Sequence, residues 1–354
     1  MAAPRDDVTI HLAPGVFRLA PSQPFGGRLA LGARTILRST LRMAVDGEGV
    51  PLVDERGEPT LLEEGAKIDG SALAPPDAFM GEGVIVVGDQ GCVQRVWVDP
   101  GPGGSLRPGI EITARGTIEQ ACVRGQRIGI RVRAAGEKAF GAIVGCLAAA
   151  NGVGIFILSL DPDLGHPIGG RVAVEAVIHC SACVHNAVMN LGIVGGIGSD
   201  GNRVDVETSH NLFGGRPTGA NVRVAGGQNV LSTGGHHNRV TLRSVGDRIV
   251  GAAVGLQVEG GTLQLASVSG GFPLVERQSS HNQAAVELTD AIFDRNDLDI
   301  AAYGALSRTG ESVGDHNEVR VVMSRAGSSS LAIKAFDCFP EESFAACSNK
   351  AAVG

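Results

Sequence analysis

Aromatic side chains make up only 4% of this 354-residue chain, with one tryptophan, Trp97, and one tyrosine, Tyr303. A stacking platform for unpaired bases is therefore absent, and a common means of holding sugar rings is scarce. Charge is sparse as well: charged residues amount to 19%, the net charge is −7, and lysine is confined to Lys67, Lys138, Lys334 and Lys350. With the arginines dispersed, no basic cluster is available to phosphates, which argues against a nucleic-acid partner. Apolar runs are broken by Gly, Asn, Asp or His well before membrane-spanning length, so no membrane partner is expected. The opening MAAPRDDVTIHL has acidic residues where a secretory leader would be apolar, and a cytoplasmic location is the expectation unless a leader was removed. Seven cysteines, an odd number at scattered spacings, fit free and mostly buried thiols in a reducing compartment.

Glycine is plentiful, at 52 residues, about twice its usual share. Hydrophobic residues reach 43%, which argues against disorder. Five of the nine histidines stand in His-Asn dipeptides: His185-Asn186, His210-Asn211, His237-Asn238, His281-Asn282 and His316-Asn317. Three of them lead into short alternating runs, HNRVTL, HNEVRVV and, more loosely, HNQAAVEL. A residue suited to a left-handed turn, recurring before a short strand, is the mark of a repeat.

Short strand candidates succeed one another from 84–87 to 318–323 with hardly a helix-length segment between them, which excludes α/β folds. They are too many for a sandwich, and the aromatic marks of propeller blades are missing. Val204, Val222 and Val240 are evenly spaced, as are Val206, Val224 and Leu242. An even step of this kind suits a coil of three strands and three turns, with a Val/Leu ladder inside and an Asn ladder at one turn. The expected fold is thus all-β: a parallel β-helix of roughly twelve to fourteen short three-strand coils in one domain over 1–354. Residues 1–83 read as N-terminal coils with a cap or protruding loop (53–79), 84–325 as regular coils, and 326–354 as a C-terminal cap. That cap would hold a short helix over 340–347 and a Cys338–Cys347 pair if the setting is oxidising.

On the strength of VTIHLAPGVFRL, a strand, Pro-Gly and a second strand entering the first coil, together with the repeat, the chain resembles the right-handed parallel β-helices of the pectin-lyase-like superfamily. The resemblance implies that architecture over roughly 8–325. The scaffold carries lyases, hydrolases, epimerases, adhesins and proteins without known activity. VWVDP (96–100) resembles a pectate-lyase segment through Val96, Trp97, Val98 and Asp99, but Pro100 replaces its histidine. DPDLGH resembles an alginate-epimerase element through Asp161, Pro162 and Asp163, with His166 out of place.

If the valines point inward, Arg203, Asp205, Arg223, Arg239, Thr241 and Arg243 point outward, with Asp205 and Arg223 as cross-strand neighbours. Such a face suits a long acidic polysaccharide: arginine would neutralise a uronate carboxylate and stabilise an enolate-like transition state, and Asp or His would abstract the α proton. The candidate catalytic set is Asp205, Arg223, Arg239, His210 and His237, with His236 an alternative. Walls would come from 53–79 and 159–170. No metal site is expected, because Cys180 and Cys183, flanked by His179 and His185, form a lone Cys-x-x-Cys. No cofactor is required by the sequence, although a lyase would leave room for calcium. The competing reading makes the histidines and asparagines turn residues, the outward face a solvated surface, and the protein a structural or interaction module that self-associates.

Overall fold

The chain winds by three kinds of corner, and the corners explain why so many glycines, asparagines and histidines are needed. The computed structural model describes residues 8–20, 22, 27–73, 82–101, 104–134, 138–160, 172–197, 200–229, 235–263, 280–307, 316–326, 330–338 and 350–354. Successive strands fall in turn into three parallel sheets, here A, B and C, of 11, 9 and 10 strands. One coil runs Arg115–Glu119 in A, Cys122–Arg124 in B and Gln126–Arg133 in C, and the next begins at Lys138–Val144, again in A. The fold is a right-handed parallel β-helix, as the sequence suggests, with about eleven coils among the described residues instead of twelve to fourteen.

The evenly spaced valines have a different origin from the one expected. Val204 pairs with Val240 in sheet A, whereas Val222 lies in sheet C between Leu191 and Leu256. The even step runs from an A strand to a C strand and then from C to the next A strand, so it measures half a coil. Full coils vary in length, with equivalent residues separated by 25 between Gln94 and Glu119, 36 between Asn202 and Asn238, and 44 between Asn238 and Asn282. In the longer coils most of the extra residues enter between C and A, while the A-to-B corner keeps one length from Gln94–Trp97 to Thr289–Ile292. Val222 nevertheless points inward as expected and is 1% exposed.

Sheet pairing also continues beyond 325. Leu331–Cys338 extends sheet C and Lys350–Val353 extends sheet A. The helix expected over 340–347 lies outside the described residues, as do Cys347 and the side chain of Cys338. The cysteines that are described, Cys92, Cys122, Cys146, Cys180 and Cys183, are all free.

The interior is filled by stacked aliphatic rows such as Val174, Val204, Val240, Ala284 and Val319, each effectively out of water. Burying one such Val, Leu or Ile contributes about 1.5–3 kcal/mol relative to exposure. One inward row of sheet A turns polar where Ile178 is followed by Thr208 and Ser244. Both hydroxyls bond Asp247, Thr208 at 2.5 Å and Ser244 at 2.6 Å, beside a small internal cavity also lined by Phe213 and Leu242.

Of the segment expected to protrude, 53–63 belongs to an excursion over 41–63 that packs on sheet B, Ala66–Asp69 is itself a strand of sheet B, and 74–79 lie outside the described residues. Arg42–Met43 and Leu61–Glu63 pair antiparallel, and bridges Val45–Pro51 and Val53–Pro59 continue the excursion. Leu41, Met43 and Val50 pack on the outward residues Cys122, Leu147, Ala149, Ala182 and Val184 of sheet B. This flap is tied down at Asp46, which accepts from Arg248 Nη2 at 2.8 Å, and by an ion pair between Glu58 and Arg124. Burial works against the Asp46 charge, but the amides of Val50 and Glu48 and the Arg248 guanidinium hold its carboxyl below the usual range.

Candidate functional site

Every His-Asn pair sits at a corner, and the two residues divide the task. The histidines take the left-handed backbone, with φ of 55° at His185, 53° at His210, 55° at His237, 58° at His281 and 55° at His316. The asparagines are buried and bond the coil on either side. At the C-to-A corner, Asn238 Oδ1 accepts from Asn202 N at 3.0 Å and from Asn202 Nδ2 at 2.9 Å. Asn282 Oδ1 does the same for Asn238 at 3.0 and 3.1 Å, and Asn317 Oδ1 for Asn282, both at 3.1 Å. Similar ladders run through Ser181, Asn211 and Asp247 at the A-to-B corner and through Asn151 and Asn186 at the B-to-C corner. The left-handed role therefore belongs to histidine and the ladder role to asparagine. A buried amide that pairs with its neighbour leaves no orphan donor, and this is why the dipeptide recurs.

Because the left-handed residue faces outward, the rings of three successive corners meet. His237 and His281 stack with ring centroids 4.8 Å apart, and His281 and His316 at 4.9 Å, nearly parallel. All three are exposed. Beside them, in register, runs an outward row of sheet A: Lys138, Ala173, Arg203, Arg239, Gln283 and Glu318.

The outward faces of the sheets differ sharply. Sheet B is covered in its middle by the flap. Sheet C presents Glu111, Arg131, Arg133, Arg223, Gln257 and Glu259, all buried. Glu111 Oε1 accepts from Arg131 Nη2 at 2.8 Å and from Arg133 Nε at 2.5 Å, and burial pulls the Arg131 guanidinium below its usual value. Among the described residues sheet A keeps an open charged face, with Glu175, Arg203, Glu207, Arg239, Arg243, Gln283, Glu287 and Arg320 exposed. Its pairs are surface pairs: Arg203 with Asp205, and Arg243 with Glu207 at 3.2 Å and Glu287 at 3.5 Å. Such contacts contribute about 0–1 kcal/mol and exchange readily. No described residue forms an ion pair with Arg239.

The five residues expected to form one site are distributed. Asp205 and Arg239 lie on the open face of sheet A, and His237 stands at the corner leading into Arg239. Arg223 belongs to sheet C, opposite Gly192 and Gln257. The expected Asp205–Arg223 neighbour pair does not form, since Asp205 faces Glu175 and Thr241. The half-coil register is the reason. His210 stands at the A-to-B corner, edge-on to His179 with centroids 6.1 Å apart. His236 accepts at Nδ1 from Ser280 N at 3.2 Å. Asp99 bonds Lys67 Nζ at 2.9 Å, and that ammonium lies 5.4 Å from the Trp97 ring centroid. Asp161, Asp163 and His166, with most of the expected wall at 159–170, lie outside the described residues. Among the described residues no group of three His, Cys, Asp or Glu side chains is arranged to hold a metal ion. Near 200–243, Thr208, Leu242 and Ser244 line a small internal cavity.

No known protein family matches the chain, and no curated protein does. Two solved structures from Azotobacter vinelandii are similar to it. The mannuronan C-5 epimerase AlgE4 A-module is 13% identical, with 97% of this chain and 91% of that chain covered and a TM-score of 0.35. The AlgE6 A-module is 16% identical, with coverages of 95% and 92% and a TM-score of 0.36. Neither likeness transfers a residue or an activity, and the β-helix assignment rests on the sheet topology itself.

The sequence pointed to Asp205, Arg239 and His237 but not to the histidine stack, whose members are separated by whole coils of unequal length. The alternating run after each His-Asn was the available signal: it marks the same corner three times.

Proposed function

We propose that this β-helix binds an acidic polysaccharide along the outward face of sheet A. The observation that carries the reading is that, among the described residues, this face is open and charged along successive coils, with Arg203 opposite Arg239 and Glu207 opposite Arg243 on strands about 4.8 Å apart. A polymer with regularly placed carboxylates would exchange with the weak surface pairs there. Scarcity of aromatics is compatible with recognition by charge and hydrogen bonds.

Binding is favoured over turnover. A lyase needs a base and a neutralising cation at one carbon, yet Arg223, the cation expected beside Asp205, is on another sheet. The test is titration of polygalacturonate and of alginate into the protein, with ultraviolet absorbance recorded with and without calcium. Binding without a rise in absorbance fits the proposal; a rise restores the lyase reading.

A structural, self-associating module is the second reading. It is favoured by the first coil, where Val8, Ile10 and Val16 are 56%, 41% and 60% exposed. Absence of glycan binding together with a concentration-dependent mass in sedimentation would establish it.

A further inference from the structure

We propose that His237, His281 and His316 form, with Arg239, a proton-linked strip for a polycarboxylate, so that the protein takes up protons as it binds. This rests on the polysaccharide reading above and adds its regulation. The three rings are exposed and stacked at 4.8 and 4.9 Å. Their spacing is fixed from behind, because each precedes a buried asparagine of the corner ladder. The strip therefore repeats with the strands and does not depend on loop placement.

An imidazole changes charge between about pH 5 and 8. Neutral rings stack face to face without conflict. Protonated rings at this distance repel one another, and Arg203 and Arg239 in the adjoining row add to the repulsion. Opposing charge comes from Glu318, which follows Asn317 and is opposite Lys350, and from Asp200, whose Oδ1 accepts from His236 N at 2.7 Å. Among the described residues, His236 is a further titratable group at this corner. A polyanion laid along the strip relieves the repulsion and so favours the protonated form. By linkage, protonation must then favour the polyanion by the same factor.

The ligand class follows from what surrounds the strip. Sparse lysine, the net charge of −7 and the lack of a stacking aromatic disfavour nucleic acid. Carboxylates on a sugar polymer need no base stacking, and their pairing with imidazolium and Arg239 is charge-assisted.

The experiment is isothermal titration of polygalacturonate into the full chain near pH 5.5, 6.5 and 7.5, in two buffers of different ionisation heat. Affinity should fall on the order of tenfold from the lowest to the highest pH, and protons should be taken up near pH 6.5. His281→Asn is the informative variant, since His281 belongs to both stacked pairs and Asn tolerates a left-handed turn. It should keep the fold, flatten the pH dependence and lower proton uptake. Arg239→Gln should weaken binding at every pH and leave proton uptake in place. Binding that ignores pH, or an unchanged pH profile in the His281 variant, overturns the inference while leaving the polysaccharide reading intact. No binding at any pH removes both. Tighter binding of single-stranded DNA than of polygalacturonate overturns the assigned ligand class.

Discussion

Arg223 forks onto Glu259 on the outer side of sheet C, Nε to Oε1 at 3.0 Å and Nη2 to Oε2 at 2.8 Å, with both side chains shut away from water. Removing one member of such a pair strands the other charge, at about 3–5 kcal/mol, whereas replacing both by apolar residues of similar volume is often neutral. Glu259→Leu alone should therefore lower the thermal midpoint strongly. The double variant Arg223→Met/Glu259→Leu should recover most of the loss. Equal midpoints for single and double variants would show that the pair is not coupled.

Val222 lies inside, between Leu191 and Leu256. Val222→Asp would bury an unpaired carboxylate at several kcal/mol, and the protein should be recovered insoluble or unfolded by circular dichroism. Arg239→Asp, on the open face, should stay soluble with an unchanged spectrum.

Asp247 gives a pH signature. Burial raises its carboxyl above the ordinary value of 3.8, against the opposing bonds from Ser244, Thr208 and Asn211. A raised carboxyl contributes stability that is complete below the unfolded value and is lost as pH rises through the folded one. Asp247→Asn removes that loss and keeps an oxygen for the Asn211 amide at 2.8 Å. Its urea midpoint should exceed the parent's at neutral pH, and the advantage should shrink as pH falls towards 4. A constant difference across that range would exclude Asp247 as its source.

Among the five described cysteines, Cys180 should be alkylated first in the native protein. Burial pushes the Cys92 thiol up to about 11 and the Cys146 thiol up to about 12, and holds Cys122 and Cys183 higher still. Cys180 is less buried, but burial and then the Asp46 and Glu48 carboxylates raise it too, and its Sγ donates to Glu48 O at 3.0 Å. Labelling should thus be slower than for a free thiol and faster in Arg248→Gln, which loosens the flap at Asp46. Peptide mapping after brief iodoacetamide exposure would decide the order.

The fold was legible because repetition is a local signal. Each His-Asn marks a corner, and each alternating run marks a strand with one face buried. Sheet B was poorly legible: its three-residue strands, such as Leu212–Gly214 and Arg248–Val250, are too short to show alternation. Elsewhere they merge with the preceding strand, as Trp97–Val98 does with Gly91–Gln94. Missing one strand per coil made the A-to-C step look like a whole coil, and that error moved Arg223 onto the wrong face. The flap was beyond reach for another reason. Its contacts with Cys180 and Arg248 join residues more than a hundred positions apart, and nothing local announces them.

Coils whose equivalent residues are separated by 25 and by 44 share one stack, and across the coil whose asparagines, Asn238 and Asn282, are 44 apart a ladder closes the corner whatever leaves it. An insertion between Leu263 and Gln283 thus enters a place where the stack already tolerates variable length, whereas one extra residue between Ser209 and Leu212 would break the local ladder through Ser181, Asn211 and Asp247. The margin between sheets C and A is where the regular coils absorb most of their variable length, and the flap between Arg38 and Ala66 shows that the A-to-B margin has accepted an insertion as well.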